Sequence, residues 1–299
     1  MKRALIMILL IVISGCDIFG GSNGQPTTEQ ARTGTSSLSM SILPNQPPAR
    51  IFVQPGRQTE VIVGIDLRNN GAEPINGGVL SYQGFDPNLI SFPSGGSIPH
   101  MDGKVSVPSG GRELVQFNGF VNANVIGESY KPNLQITACF PYRTEAEIPM
   151  CIDPNPTAQG SKACTASDFS GSGQGGPIAV TSVEQDTAPG STLFKIVIKN
   201  SGGGDVFVGG PQKCQAGASA LDFRSLDKVY LQSVTISGNP INCRGTDPSG
   251  NIPLNGGQAI IFCDFVPPAG SAYQTMMKVN LQYDYRISTS KSLEIVKLS

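Results

Sequence analysis

The amino-acid sequence predicts an all-β chain: two tandem β-sandwiches of similar design, behind an N-terminal segment that belongs to neither. Three observations predict this. Apolar residues recur at every second position in several short runs, the pattern of a strand with one face on a core and one toward water. Landmarks in the first half return in the same order in the second. Gly (36) and Pro (23) together make about a fifth of the 299 residues, which implies many turns and little helix.

The N-terminal segment opens with Lys2-Arg3, followed by ten apolar residues from Ala4 to Ile13. Ten residues rise about 15 Å as a helix, roughly half of a bilayer core, so they do not span it. A charged start, a short apolar stretch and small residues before a cut make a secretory signal over residues 1–15. Ile13-Ser14-Gly15-Cys16 resembles the lipobox of prokaryotic lipoproteins. That resemblance implies cleavage before Cys16 and a membrane lipid on its sulfur, and each buried methylene of such an anchor contributes about 0.8 kcal/mol. A simple or uncleaved signal with an incidental cysteine is the alternative. Asp17 resembles the inner-membrane retention signal of Gram-negative lipoproteins, which has meaning only in that setting. Residues 16–36, rich in Gly, Ser, Thr, Gln and Pro, read as the lipidated cysteine and a flexible tether.

The repeat organises the remainder. Val61, Val63, Ile65 and Leu67 alternate with other residues and end at Asn69-Asn70-Gly71; Phe194, Ile196 and Ile198 alternate and end at Asn200-Ser201-Gly202. Gly110-Gly111 before one strand matches Gly256-Gly257 before another, and Asn133-Leu134-Gln135-Ile136 matches Asn280-Leu281-Gln282-Tyr283. The three separations are 131, 146 and 147 residues, so the second copy carries about fifteen additional residues between the first two landmarks. Each copy is expected to end in a hairpin: Leu134 to Tyr142 turning back through Ile148 to Ile152, and Leu281 to Ile287 through Leu293 to Leu298. A first sandwich over 37–154, a linker over 155–177 and a second sandwich over 178–299 follow. One short helical turn is expected within Ala218 to Asp227. The strand, Asn-x-Gly and Gly-Gly-strand pattern resembles the immunoglobulin-like modules of prokaryotic surface proteins, including the archaeal CARDB/NEW3 type. Such modules serve many tasks, so the resemblance implies a fold and not an activity.

Six cysteines remain after Cys16: Cys139, Cys151, Cys164, Cys214, Cys243 and Cys263. An even number in an exported chain predicts three disulfides. A hairpin turning at Thr144-Glu145-Ala146 places Cys139 opposite Cys151; the other four allow three pairings, of which Cys164 with Cys214 and Cys243 with Cys263 is one that the spacing does not single out. No Cys-x-x-Cys spacing occurs, so neither a zinc knuckle nor a thioredoxin-like site is expected.

Candidate chemistry is sparse. His100 is the sole histidine, in Ile98-Pro99-His100-Met101-Asp102-Gly103, a turn-like stretch with no Gly-x-Ser-x-Gly elbow in the chain. Gly171-Ser172-Gly173-Gln174-Gly175-Gly176 matches a dinucleotide fingerprint in letters only, because Pro177 and a strand follow where a helix is required. No motif nominates a glycosidase pair among the acidic residues, a pairing that only the fold can decide, and no alternating Asp/Asn calcium loop occurs. Phe140, Tyr142, Tyr273, Tyr283 and Tyr285 mark either a binding face or the core. With net charge −1 and 14% charged residues, the chain offers no electrostatic footprint for nucleic acid. The expectation is a cofactor-free, non-enzymatic lipoprotein at the outer face of a membrane. Its partner would be a protein or a glycan, its role adhesion or scaffolding. The alternative is a subunit of a surface filament, secretion or envelope assembly.

Overall fold

The computed structural model describes residues 28–93, 95–122, 127–214 and 221–298. The expected signal peptide, Cys16 and the tether as far as residue 27 lie outside the described residues. The fold is all-β, built from antiparallel sheets with one short parallel pairing.

Two strands of twenty residues, Asn133–Ile152 and Tyr273–Ser292, dominate it. They pair antiparallel along their whole length, from Asn133 opposite Ser292 to Ile152 opposite Tyr273. The reason they run straight is local. Leu134, Ile136, Ala138, Phe140, Tyr142, Thr144, Ala146, Ile148, Met150 and Ile152 are all buried, an unbroken period of two. No Gly or Asn interrupts it at Thr144-Glu145-Ala146, so the chain does not turn there. Both expected hairpins are therefore corrected: Leu281 to Ile287 likewise continues to Ser292, and Glu294–Lys297 departs as a separate strand.

Around this pair an eight-stranded sheet forms. Its main path runs Asn239–Pro240, Lys228–Ile236, Tyr273–Ser292, Asn133–Ile152, Ile75–Gln83, Gly96–Met101, with Asp205–Phe207 and Asn251–Pro253 attached. Two smaller sheets cover its inner face. One comprises Leu38–Ile42, Gln58–Asn69, Arg112–Asn122 and Ile90–Ser91; the other Phe169–Ser170, Ile178–Ala188, Ser191–Asn200, Gln258–Phe265 and Asn242–Arg244. The inward rows of all three sheets belong to one hydrophobic cluster that includes Ile65, Phe140, Ile196, Ile261 and Leu281.

The halves exchange their last strands. The end of Asn133–Ile152 lies under the second half, where Gln185 Nε2 donates to the Cys151 carbonyl at 2.8 Å. The end of Tyr273–Ser292 lies beside the start of its partner in the first half, and Glu294–Lys297 then joins Arg50–Val53 and Ser129–Tyr130. Residues 37–154 and 178–299 thus do not enclose separate cores.

The first two repeat landmarks coincide in space. Asn69 and Asn200 donate their backbone N–H groups to Gly111 and Gly257, each at 2.8 Å. Asn69 Nδ2 donates to the Glu73 carbonyl at 2.8 Å, and Asn200 Nδ2 to that of Gly204 at 3.0 Å. The Tyr142 hydroxyl accepts from Glu73 N at 3.2 Å, and that of Tyr285 from Gly204 N at 2.9 Å. This makes Tyr142 and Tyr285 the equivalent pair, out of step with the Asn133/Asn280 match, and puts the pseudo-twofold axis at Pro141 opposite Asp284.

Residues 28–36, assigned to the tether, pack against the body. Ala31 is buried, and Arg32 Nη2 lies 3.0 Å from Glu73 Oε1 and 3.2 Å from Glu145 Oε2. Glu73 is itself buried, and its other oxygen pairs with Arg143.

The six cysteines form three disulfides: Cys139–Cys214, Cys151–Cys164 and Cys243–Cys263. Cys243–Cys263 joins directly paired strand positions, as expected. Cys139 with Cys151 and Cys164 with Cys214 are corrected. Cys139 and Cys151 stand twelve positions apart on one straight strand, about 40 Å, far beyond the reach of a disulfide.

Candidate functional site

The outer face of the long sheet carries the residues that alternate with the core rows. Near the pseudo-twofold axis it is open and forms a groove of about 480 Å³, within the range typical of small-molecule sites, roughly 300–1,000 Å³. The floor is a row of residues paired across three strands: Tyr230 opposite Gln282, and Gln282 opposite Arg143. Pro141 and Asp284 form the next row, and Asn76 closes one side.

The second copy's additional residues wall the other side. They leave the sheet after Asp205–Phe207 and return at Lys228–Ile236. Phe207, Val79 and Cys139 form a small second core with Cys214, Leu221 and Leu226, and the Cys139–Cys214 bond fixes the excursion to the central strand. The expected helical turn within Ala218 to Asp227 lies partly outside the described residues; the described part, Leu221–Asp227, holds turns and one bridge, Phe207 to Leu226.

Asp284 lies under this wall. Its Oδ2 accepts from Gly210 N at 2.7 Å. Burial pushes its carboxyl above the ordinary range, against the N–H groups of Gly210 and Gly209 and the charge of Lys213. Gly209 and Gly210 have φ of 111° and 98°, a backbone that L side chains rarely adopt, so the glycines allow this approach. On the opposite rim, His100 Nδ1 lies 2.9 Å from Asn76 Oδ1, and Nε2 lies 3.5 Å from Asp102 Oδ1. His100 is exposed on the strand Gly96–Met101 and not in a loop.

The sequence-predicted aromatics fall below the groove. Phe140, Tyr142, Tyr283 and Tyr285 are buried and meet edge-on or tilted, with Phe140–Tyr285 centroids at 6.2 Å and Tyr142–Tyr283 at 6.1 Å. Tyr273 is half-buried at the start of its strand. Tyr142 and Tyr283 also border the groove, but the aromatic exposed in it is Tyr230, at 40%, which the sequence does not single out. Its signal was there: in Lys228–Ile236 it shares the polar row with Gln232. The Gly171 to Gly176 stretch is a loop in which Gln174 exchanges two hydrogen bonds with Val180, at 3.0 and 2.9 Å. Among the described residues, no group of three or more His, Cys, Asp or Glu side chains could hold a metal ion, and no helix is long and apolar enough to cross a membrane.

No protein-family model matches the sequence, and no curated protein matches it. Among solved structures, the chain is similar at 8% identity to the E. coli chaperone DraB, over 80% of this chain and 89% of that one. The TM-score is 0.19, too low to carry an argument about fold or function.

Proposed function

We propose that the chain is a lipoprotein held at the outer face of a membrane through Cys16, with a non-enzymatic role in adhesion or scaffolding. Each half is read as an immunoglobulin-like sandwich whose closing strand has been lent to the other. Three disulfides are the observation that carries the placement, because such bonds persist in oxidising compartments. The lipobox-like Ile13-Ser14-Gly15-Cys16 supports the anchor. The binding role is supported by the mixed polar and aromatic groove.

The test is metabolic labelling with an alkynyl fatty acid, followed by fractionation. Wild-type chain should label and sediment with membranes, and Cys16→Ser should do neither. Full-length, lipid-free chain in the cytosol with its thiols reduced would overturn the reading.

A second reading, a subunit of a surface assembly, is favoured by apolar side chains on the outer faces of the smaller sheets. Leu114 is 62% exposed on the same face as Ile62 and Phe120 on one, and Ile260 and Phe262 are exposed on the other. Sedimentation showing only monomers across a wide concentration range would count against it.

A further inference from the structure

We propose that the groove at the pseudo-twofold axis binds a neutral saccharide, with one pyranose stacked on Tyr230 and the next lying over Gln282 and Arg143. The inference rests on the binding role proposed above and names the class of its ligand.

A pyranose presents C–H groups on its ring faces and hydroxyls, each both donor and acceptor, around its rim. The groove offers the complement of both. The Tyr230 ring is exposed yet held in place: Gly250 lies so close that a Cβ there would meet its Cε2 at 2.9 Å. An aromatic face of this kind takes apolar C–H surface with little loss of side-chain freedom. Next to it stand planar side chains fixed by their own neighbours. Gln282 Nε2 donates to Gln232 Oε1 at 3.0 Å, and Asn76 Oδ1 lies 2.9 Å from the His100 ring. Amides can serve a hydroxyl in either sense.

Charge argues against an anionic ligand. Arg143 projects into the groove, but its guanidinium is paired with the buried Glu73 carboxylate, so no uncompensated cation recruits an anion. Topology argues against an added peptide strand along Tyr230 and Gln282, because each is already paired on both sides. From Tyr230 to Arg143 the row crosses two strand spacings, about 10 Å, which suits two linked sugar rings.

The full chain in detergent can be titrated with chitotetraose, cellotetraose and mannotetraose, by calorimetry and by tyrosine emission, which no Trp obscures. At least one should bind. Tyr230→Ala should weaken it about tenfold or more, while Tyr230→Phe should stay within about threefold of wild type. Gln282→Ala, which leaves the ring in place, should weaken binding while the circular dichroism spectrum is unchanged. No binding of any of the three at about 10 mM would overturn the proposal, as would wild-type affinity in Tyr230→Ala. Tighter binding of tetragalacturonate, an anionic probe, would overturn the neutral assignment. Cys16→Ser should bind the sugar as wild type does, so loss of the anchor and loss of the site register separately.

Discussion

The hydroxyl of Tyr142 sits among buried groups, accepting from Glu73 N and donating to the Gly175 carbonyl at 3.1 Å. Burial raises its pKa above the ordinary phenol value, so it stays a neutral donor. Tyr285 repeats the arrangement with Gly204 N and with Asn200 Oδ1, to which it donates at 3.1 Å. Removing either hydroxyl leaves buried partners unpaired, which costs roughly 1–3 kcal/mol. Tyr142→Phe and Tyr285→Phe should therefore destabilise the chain by similar amounts in that range, read from urea midpoints at constant slope. Asp247 gives a pH signature. The Asn251 N–H first, then the Lys228 ammonium and the Ser249 N–H, hold its carboxyl down to about 2. A depressed carboxyl contributes stability that is present above its unperturbed 3.8 and is lost as pH falls through about 2. Asp247→Asn should flatten the acid limb of a stability-against-pH curve between those values, measured by thermal melts in matched salt.

At the scale of elements, the long strand Asn133–Ile152 shows how an edge is guarded. Beyond Cys139 its edge away from Tyr273–Ser292 pairs with no strand among the described residues. Pro149 removes a donor from that edge, Arg32 Nη1 covers the Glu145 carbonyl at 3.2 Å, and Gln185 covers that of Cys151. The excursion from Val208 to Asp227 depends on Cys139–Cys214, because its own core is small. Replacing both cysteines by serine should cost roughly 2–4 kcal/mol and expose the excursion to limited proteolysis, with cleavage sites read by mass spectrometry. Much of this was legible in the sequence: the all-β class, the runs ending at Asn69 and Asn200, the Gly-Gly landmarks and the position of the additional residues. The turn placed at Thr144-Glu145-Ala146 was not supported by its residues, since the alternation from Leu134 to Ile152 passes through it unbroken. That single error carried the Cys139–Cys151 pairing with it. The groove was half legible. Gln282 and Asp284 stand in the polar row of Asn280 to Arg286, but nothing local shows that Tyr230 and Arg143 arrive beside them, because strand order is a long-range property.

At the scale of the molecule, one core spans both halves and the closing strands are exchanged. Residues 37–154 produced alone should lack the native near-ultraviolet signal, and so should 178–299, since each would expose the inward row of a twenty-residue strand. The intact chain should unfold in a single transition by fluorescence and circular dichroism alike. Independent, native-like melting of either fragment would contradict the shared core. The exchange also sets a timetable for a chain that emerges N-terminus first. Asn133 to Tyr142 meet their partners on the other long strand only when Tyr283 to Ser292 have appeared, and Arg50–Val53 waits for Glu294–Lys297. The opening half must linger unfinished, its longest strand bare on that flank, until Tyr283 to Lys297 are delivered. Whatever handles the nascent chain has to shield that flank for the whole interval.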